Sequence, residues 1–292
     1  MTPKPSSPDL QVLQERLLAH LQALVRERDP YWAAAGHRYV QTYLQEQWSQ
    51  WGEVSAHRFE VRGQIHHNWV LDLPAHPSAA SAKPLVLVGA HYDSYPGCPG
   101  ADDNATGMAV LLEMARSLTA HPARHPVRLV AFDLEEYGLL GSHAYAQALQ
   151  QQGQRLRLML SLEMLGYCTD APHSQTYPPG LKYFYPHQGN FLALVGNWKT
   201  IPDMLRLSGL VSRVGGVPCW WLPAGDRGLL VPDTRRSDHA PFWDLGYPAM
   251  MATDTANLRN PHYHKEGDRL DTLNLPFLTK VCWGLIHGIR AL

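Results

Sequence analysis

Four short apolar runs set the frame of this chain, and each is followed by residues that carry charge or bind protons. Pro84–Ala90 leads into His91-Tyr92-Asp93, and Val127–Phe132 into Asp133-Leu134-Glu135-Glu136. Leu156–Leu162 leads into Glu163, and Tyr247–Ala252 into Thr253-Asp254. Continuous apolar runs of this length, without polar alternation, fit strands buried on both faces. The segments between them change period: Leu111, Leu112, Met114, Ala115 and Leu118 fall on one side of a helix, and Ser142–Gln151 is again helical. Strand alternating with helix predicts an α/β fold, a single domain whose mixed, mostly parallel central sheet carries helices on both faces.

The flanks are consistent with this. Leu10–Arg28 and Tyr31–Trp51 read as helices, His57–Val61 and Asn68–Leu73 as strands, His76–Lys83 as a loop, and Pro276–Arg290 as a last helix. Residues 166–236 are rich in Pro, Gly and aromatics, with one helical stretch near Pro202–Val211. They are expected as loops over the carboxyl ends of the strands within one domain spanning 1–292, the alternative being a small inserted subdomain. A net charge of −1 argues against nucleic acid or anionic lipid as a partner. No apolar run reaches the ~18 residues of a membrane span. The start, Met1–Asp9, lacks the apolar core of a signal peptide, so the expected compartment is the cytoplasm, and a monomer is expected. The four cysteines form no C-x-x-C pair, which excludes a cysteine-based zinc finger.

In open α/β sheets ligands bind beyond the carboxyl ends of the strands. That end is where His91, Asp93, Glu135, Glu136 and Glu163 would meet. So many carboxylates cannot all stay ionised in a crevice without protons or cations. Imidazole with carboxylate, and no thiolate, suits zinc. The loop Pro99-Gly100-Ala101-Asp102-Asp103-Asn104-Ala105-Thr106-Gly107 adds two acids just before a helix; the plain reading of either one is a helix cap.

Taken in order, these segments resemble the zinc aminopeptidases of the M28 peptidase family. The resemblance is carried by Gly89-Ala90-His91-Tyr92-Asp93-Ser94, by the 99–107 loop, and by Phe132-Asp133-Leu134-Glu135-Glu136-Tyr137-Gly138. Ser161-Leu162-Glu163-Met164, Ser237-Asp238-His239-Ala240-Pro241-Phe242, and Asn260-Pro261-His262-Tyr263-His264 followed by Asp268 complete it. It implies peptide substrates and two Zn²⁺ per chain, one held by His91 and Glu163, the other by Glu136 and His264, with Asp103 between them. It further implies Glu135 as general base, Tyr263 as the group that steadies the oxyanion, and Asp93 as the carboxylate that orients His91. Three ligand carboxylates and one hydroxide would carry −4 against the +4 of two Zn²⁺. The family commonly has Asp where this chain has Glu163. A glutaminyl-cyclase-like aminoacyltransferase with one zinc and a non-catalytic binding module share the fold and are the alternative functions.

Several residues keep two readings. His262 rivals His264, and Asp102 rivals Asp103. Ser237-Asp238-His239 contains no nucleophile elbow, as G-x-S-x-G is absent from the chain, so Ser237 is expected to cap the following helix. Arg235 and Arg236 would meet a substrate carboxylate or form a structural pair. Trp220 and Trp221 would wall a side-chain pocket or pack as core. Cys98 precedes Asp103 but has no counterpart among the family's ligands.

Overall fold

The computed structural model describes residues 7–78 and 83–292. The polar residues before Ser7 and residues 79–82 of the expected loop lie outside the described residues. Two helices, α1 (Ser7–Leu24) and α2 (Ala34–Ser49), precede a hairpin of β1 (Val54–Val61) and β2 (Gln64–Leu73). The central unit is β3 (Leu85–His91), α3 (Gly107–Ala120), β4 (Val127–Phe132), α4 (Leu140–Gln151) and β5 (Leu156–Glu163). Then come β6 (Leu192–Gly196), α5 (Ile201–Leu210), β7 (Cys219–Pro223), a short α6 (Ala240–Asp244), β8 (Ala249–Thr253) and α7 (Leu275–Ala291).

Among the described residues, one sheet holds eight strands in the order β1-β2-β4-β3-β5-β8-β6-β7. β4, β3, β5 and β8 run parallel, while β2 and β6 join them antiparallel, so the sheet is parallel at its centre and mixed toward its edges. The continuous apolar runs follow from burial on both faces. Val86, Val88 and Ala90 of β3 pack into a core with α1, α2, α3 and α7. Leu87, between them, points the other way, into a second core with Tyr145 and Leu149 of α4 and Phe242 and Trp243 of α6. From β3 the chain crosses to β4 on one side, then returns to β5 on the other. This reversal beside β3 is the topological switch point at which α/β sheets place their ligands.

Two departures from the sequence-based expectation have physical causes. α1 stops at Leu24 rather than continuing to Arg28. Pro30 disfavours helical backbone at Asp29, and the Asp29 carboxylate instead accepts the N–H groups of Tyr31 and Trp32, building a turn. The region 166–236 is not only loops. Leu192-Ala193-Leu194-Val195-Gly196 and the Trp220–Trp221 segment form β6 and β7, which extend the sheet beyond β8. Five-residue strands surrounded by Pro and Gly carry too little pattern to register as elements.

Candidate metal centre

The parallel strands deliver their last residues to one place. His91 is the final residue of β3 and Glu163 of β5, while Glu135 and Glu136 lie in the turn after β4. Asp103 comes from the loop before α3, and His264 from the segment after β8. Asp103 lies between the two imidazoles, with Oδ1 3.2 Å from His91 Nε2 and Oδ2 3.2 Å from His264 Nε2. Each imidazole has a second carboxylate: Glu163 Oε2 is 3.7 Å from His91 Nε2, and Glu136 Oε2 is 3.1 Å from His264 Nε2. Ligand atoms of His91, Glu135 and Glu163 lie within 4.8 Å of one another, as do those of His91, Asp103 and Glu136.

These atoms converge without satisfying one another. Both ring nitrogens of His91 and Glu136 Oε1 are buried with no aligned hydrogen-bond partner, a costly state unless another group takes them up. The protonation balance is equally unsettled. Burial, then the neighbouring Asp103 charge, pushes the Glu136 carboxyl up to about 7. Burial holds Glu135 well above the carboxylate range, with Glu163 and Glu136 adding to the effect against His91. Burial also raises Glu163. Asp103 goes the other way: burial would raise it, but His264 and His91 outweigh burial and hold it low. His264 is pushed up to about 9 because Asp103 and Glu136 outweigh its burial. Imidazole and carboxylate oxygen are donors that zinc accepts, so the residues present fit such an ion. Cys98 is no competitor: burial pushes its thiol up to about 12, and Sγ donates to the Lys265 carbonyl.

Surrounding side chains position the cluster. Asp93 Oδ1 is 3.4 Å from His91 Nδ1, and the same carboxylate accepts the N–H groups of Glu135 and Glu136 at 3.1 and 3.2 Å. Asp268 accepts the N–H groups of Asp102 and Asp103. Asn104 donates to the Leu162 carbonyl and accepts from Met164 and Gly107 N–H. At Gly107 a Cβ would lie 2.4 Å from Asn104 Oδ1 and 2.7 Å from the Leu162 carbonyl, so this contact needs glycine. From below, the fully buried Arg28 guanidinium donates to the carbonyls of Tyr92, Pro99, Gly100 and Asp103.

The residues with two readings lie as follows. Asp102 faces away from the cluster, accepting from Gly166 N–H and Asn260 Nδ2. His262 packs edge-on against Tyr167. Ser237 is not a helix cap: α6 begins at Ala240 after His239, and Ser237 Oγ donates to Glu163 Oε2 at 2.7 Å. Arg235 is structural, bound to Asp244 and the Arg227 carbonyl, whereas Arg236 Nη2 donates to the Tyr263 hydroxyl at 3.2 Å. The Tyr263 ring stacks on His264 with centroids 3.8 Å apart. Trp220 and Trp221 line an apolar pocket with Phe191, Val195 and Met251, and Glu163 and Tyr263 form part of its wall, so pocket and cluster share one boundary. Arg28 and the Glu163-binding role of Ser237 were missed from sequence. Ser237 had a signal in its Ser-Asp-His segment, but Arg28 had none.

The profile of peptidase family M28 matches residues 68–193. The uncharacterized Escherichia coli protein YfbL is 34% identical over 252 residues, covering 82% of this chain and 75% of that protein. A probable leucine aminopeptidase 1 of Trichophyton verrucosum is 27% identical over 282 residues, covering 89% of this chain and 69% of that protein. Among solved structures, the LapA aminopeptidase of Legionella pneumophila superposes with a TM-score of 0.71 at 18% identity, over 100% of this chain and 78% of that one. A glutaminyl cyclase of Porphyromonas gingivalis superposes with a TM-score of 0.67 at 19% identity, over 94% of this chain and 97% of that one. At such identities the two structures share the fold with this chain. Among the described residues, no helix is long and apolar enough to cross a membrane.

Proposed function

Because the chain belongs to peptidase family M28, we propose that it is a zinc-dependent aminopeptidase that holds two Zn²⁺ and releases N-terminal residues from peptides. The observation that carries this is Asp103, which faces His91 with one carboxylate oxygen and His264 with the other. His91 and Glu163 would hold one ion, Glu136 and His264 the other, with Asp103 shared. Zinc, when bound, supplies Lewis acidity that polarises a carbonyl and acidifies water.

The chain's own side chains do the rest. Glu135 is the general base: it takes a proton from the attacking water and returns it to the departing amine. Burial raises its carboxyl, as a group that must both accept and donate near neutral pH requires. Tyr263 donates its O–H to the oxygen that gains charge. Asp93 fixes the His91 ring while bonding the backbone of Glu135 and Glu136, so one carboxylate aligns a ligand and the base together. The pocket of Phe191, Val195, Trp221 and Met251 takes the side chain of the N-terminal residue. With Glu163 on its wall and Glu135 grouped with Glu163, the neighbouring charge favours a free amine over a carboxylate.

The test uses zinc-reconstituted protein with leucine and phenylalanine p-nitroanilides, their N-acetylated forms, and N-terminal glutaminyl peptides. Cleavage of the free-amine substrates, abolished by chelation, is expected. Glu135→Gln is expected to keep its zinc and lose about 10²–10⁴-fold in kcat. Wild-type-like kcat in that variant removes the base assignment. Cyclisation of the glutaminyl peptides with one zinc per chain replaces the aminopeptidase reading with the cyclase one.

A further inference from the structure

We propose that Arg236 is a positioning residue for Tyr263, holding its hydroxyl oxygen so that the phenolic proton is directed at the reacting carbonyl; this rests on the peptidase reading above. Arg236 Nη2 lies 3.2 Å from the Tyr263 hydroxyl, and its guanidinium carbon lies 5.5 Å from the centroid of the same ring. A guanidinium has donors and no acceptor, so in this pair the phenol oxygen accepts. Its own proton is thereby turned away from Arg236, toward the wall it shares with Glu163.

The surrounding backbone makes this contact specific to Arg236. On one side, Arg235 is tied to Asp244 and to the Arg227 carbonyl, and the Thr234 carbonyl accepts from the His239 ring at 2.7 Å. On the other side, Ser237 is bound to Glu163. Arg236 therefore projects from a stretch anchored at both ends, and one of those anchors is itself part of the metal centre. Asp233 lies 4.0 Å from its other terminal nitrogen, a half-exposed pair that leaves the phenol as the closer partner. The Tyr263 ring cannot swing away either, because it lies flat on His264. Without Arg236, a neutral phenol beside several carboxylates would turn its proton to whichever is nearest. With Arg236 accepted at the oxygen, the O–H is polarised and is the better donor to an oxyanion.

The competing role for Arg236 is capture of a substrate's carboxylate, and the two roles give different kinetics. In zinc-reconstituted protein, Arg236→Met, Arg236→Lys, Tyr263→Phe and the Arg236→Met/Tyr263→Phe double variant are compared on leucine p-nitroanilide, which has no carboxylate, and on Leu-Gly, which has one. Arg236→Met is expected to lower kcat about tenfold on both substrates, the size of one hydrogen bond, with KM within about twofold. Arg236→Lys is expected to recover part of that loss. The Arg236→Met effect is expected to vanish in the Tyr263→Phe background. Losses that multiply in the double variant, or a KM rise confined to Leu-Gly, overturn the proposal. A second measurement is independent of turnover. With 3-fluorotyrosine at position 263, the ¹⁹F resonance of zinc-free protein is expected to move on Arg236→Met, and an unmoved resonance overturns the contact. If the unaltered protein cleaves neither substrate, the peptidase reading fails and takes the catalytic consequence with it, while the fluorine signal still decides the contact.

Discussion

Arg28→Met tests how the Asp103 loop is held. Arg28 is 1% exposed, and its guanidinium donates to the carbonyls of Tyr92 (2.9 Å), Pro99 (2.7 Å), Gly100 (2.9 Å) and Asp103 (3.2 Å) and to those of Leu24 (3.4 Å) and Arg26 (3.2 Å) beside it in the chain. Two effects compete. Removing a buried cation relieves its desolvation, which is worth several kcal/mol and which also pulls the Arg28 pKa down. Against that, six carbonyls lose a charged donor, at roughly 1–3 kcal/mol for each one left unsatisfied. Gly100 O keeps a bond from Ala105 N–H, and the longest of the six contacts, to Leu24, is the weakest, so the loss falls mainly on the other carbonyls. Methionine fills the volume but satisfies none of them, so the carbonyl loss wins by roughly 3–5 kcal/mol, as for other broken buried charge networks. At roughly 2–4 °C per kcal/mol, thermal unfolding of zinc-free protein should drop by about 6–20 °C. Zinc affinity, measured by chelator competition, should weaken as well, because the same donors fix the backbone on which Asp93 and Asp103 are carried. A midpoint within about 2 °C of the unaltered protein, with unchanged zinc affinity, refutes the claim that this side chain clamps the loop.

His264→Ala should reduce bound zinc from two ions to one per chain by elemental analysis; two tightly held ions in that variant would point to His262 as the ligand. His239 gives a pH signature. Its buried ring donates to the Thr234 carbonyl, and burial pushes its pKa down from 6.5 to about 4. The unfolded chain therefore binds the extra proton first, and the stability is complete above about pH 6.5 and is lost as pH falls toward 4. The 2.5-unit gap corresponds to about 3 kcal/mol. Asp238 and Asp254, pushed up by burial to about 7 and about 6, stabilise the native state in the opposite direction over the same range. The quantity to measure is thus the difference between unaltered protein and His239→Gln in urea unfolding at pH 7 and pH 5. That difference should shrink at the lower pH, and a constant difference would refute the buried neutral imidazole.

What could be read from the sequence and what could not divide along a physical line. The strands were legible because burial on both faces writes itself as an unbroken apolar run, as in Val127–Phe132, where the expected and observed bounds coincide. The cluster was legible because a parallel sheet brings every strand's carboxyl end to one side, so His91, Glu135, Glu136 and Glu163 need no contact information to be grouped. Arg28 was not legible. Its neighbours repeat like an amphipathic helix, and only the tertiary approach of the 92–103 loop turns a surface-type residue into a buried one. Ser237 lies in a segment the sequence marks, but its partner Glu163, 74 residues away, is set only by the fold.

The cluster also carries backbone strain that its neighbours hold. Leu134, Met164 and His264 sit at φ values of 56°, 46° and 54°, a left-handed backbone that side chains other than glycine adopt at a cost of about 1–3 kcal/mol each. Leu134 immediately precedes Glu135, Met164 immediately follows Glu163, and His264 is itself part of the cluster, so the strain lies where strand ends must turn a side chain inward. It persists because hydrogen bonds and ring stacking from neighbouring side chains offset it. Asp93 ties down the two amides after Leu134, and Asn104 takes the Met164 N–H, while the Met164 carbonyl accepts from Asp254 N–H. Stacking on Tyr263 holds the His264 ring. The residues proposed for chemistry are thus kept in a strained geometry by contacts formed only after folding, even where, as with Asp93 and Tyr263, the residue that makes the contact is itself announced by its place along the chain.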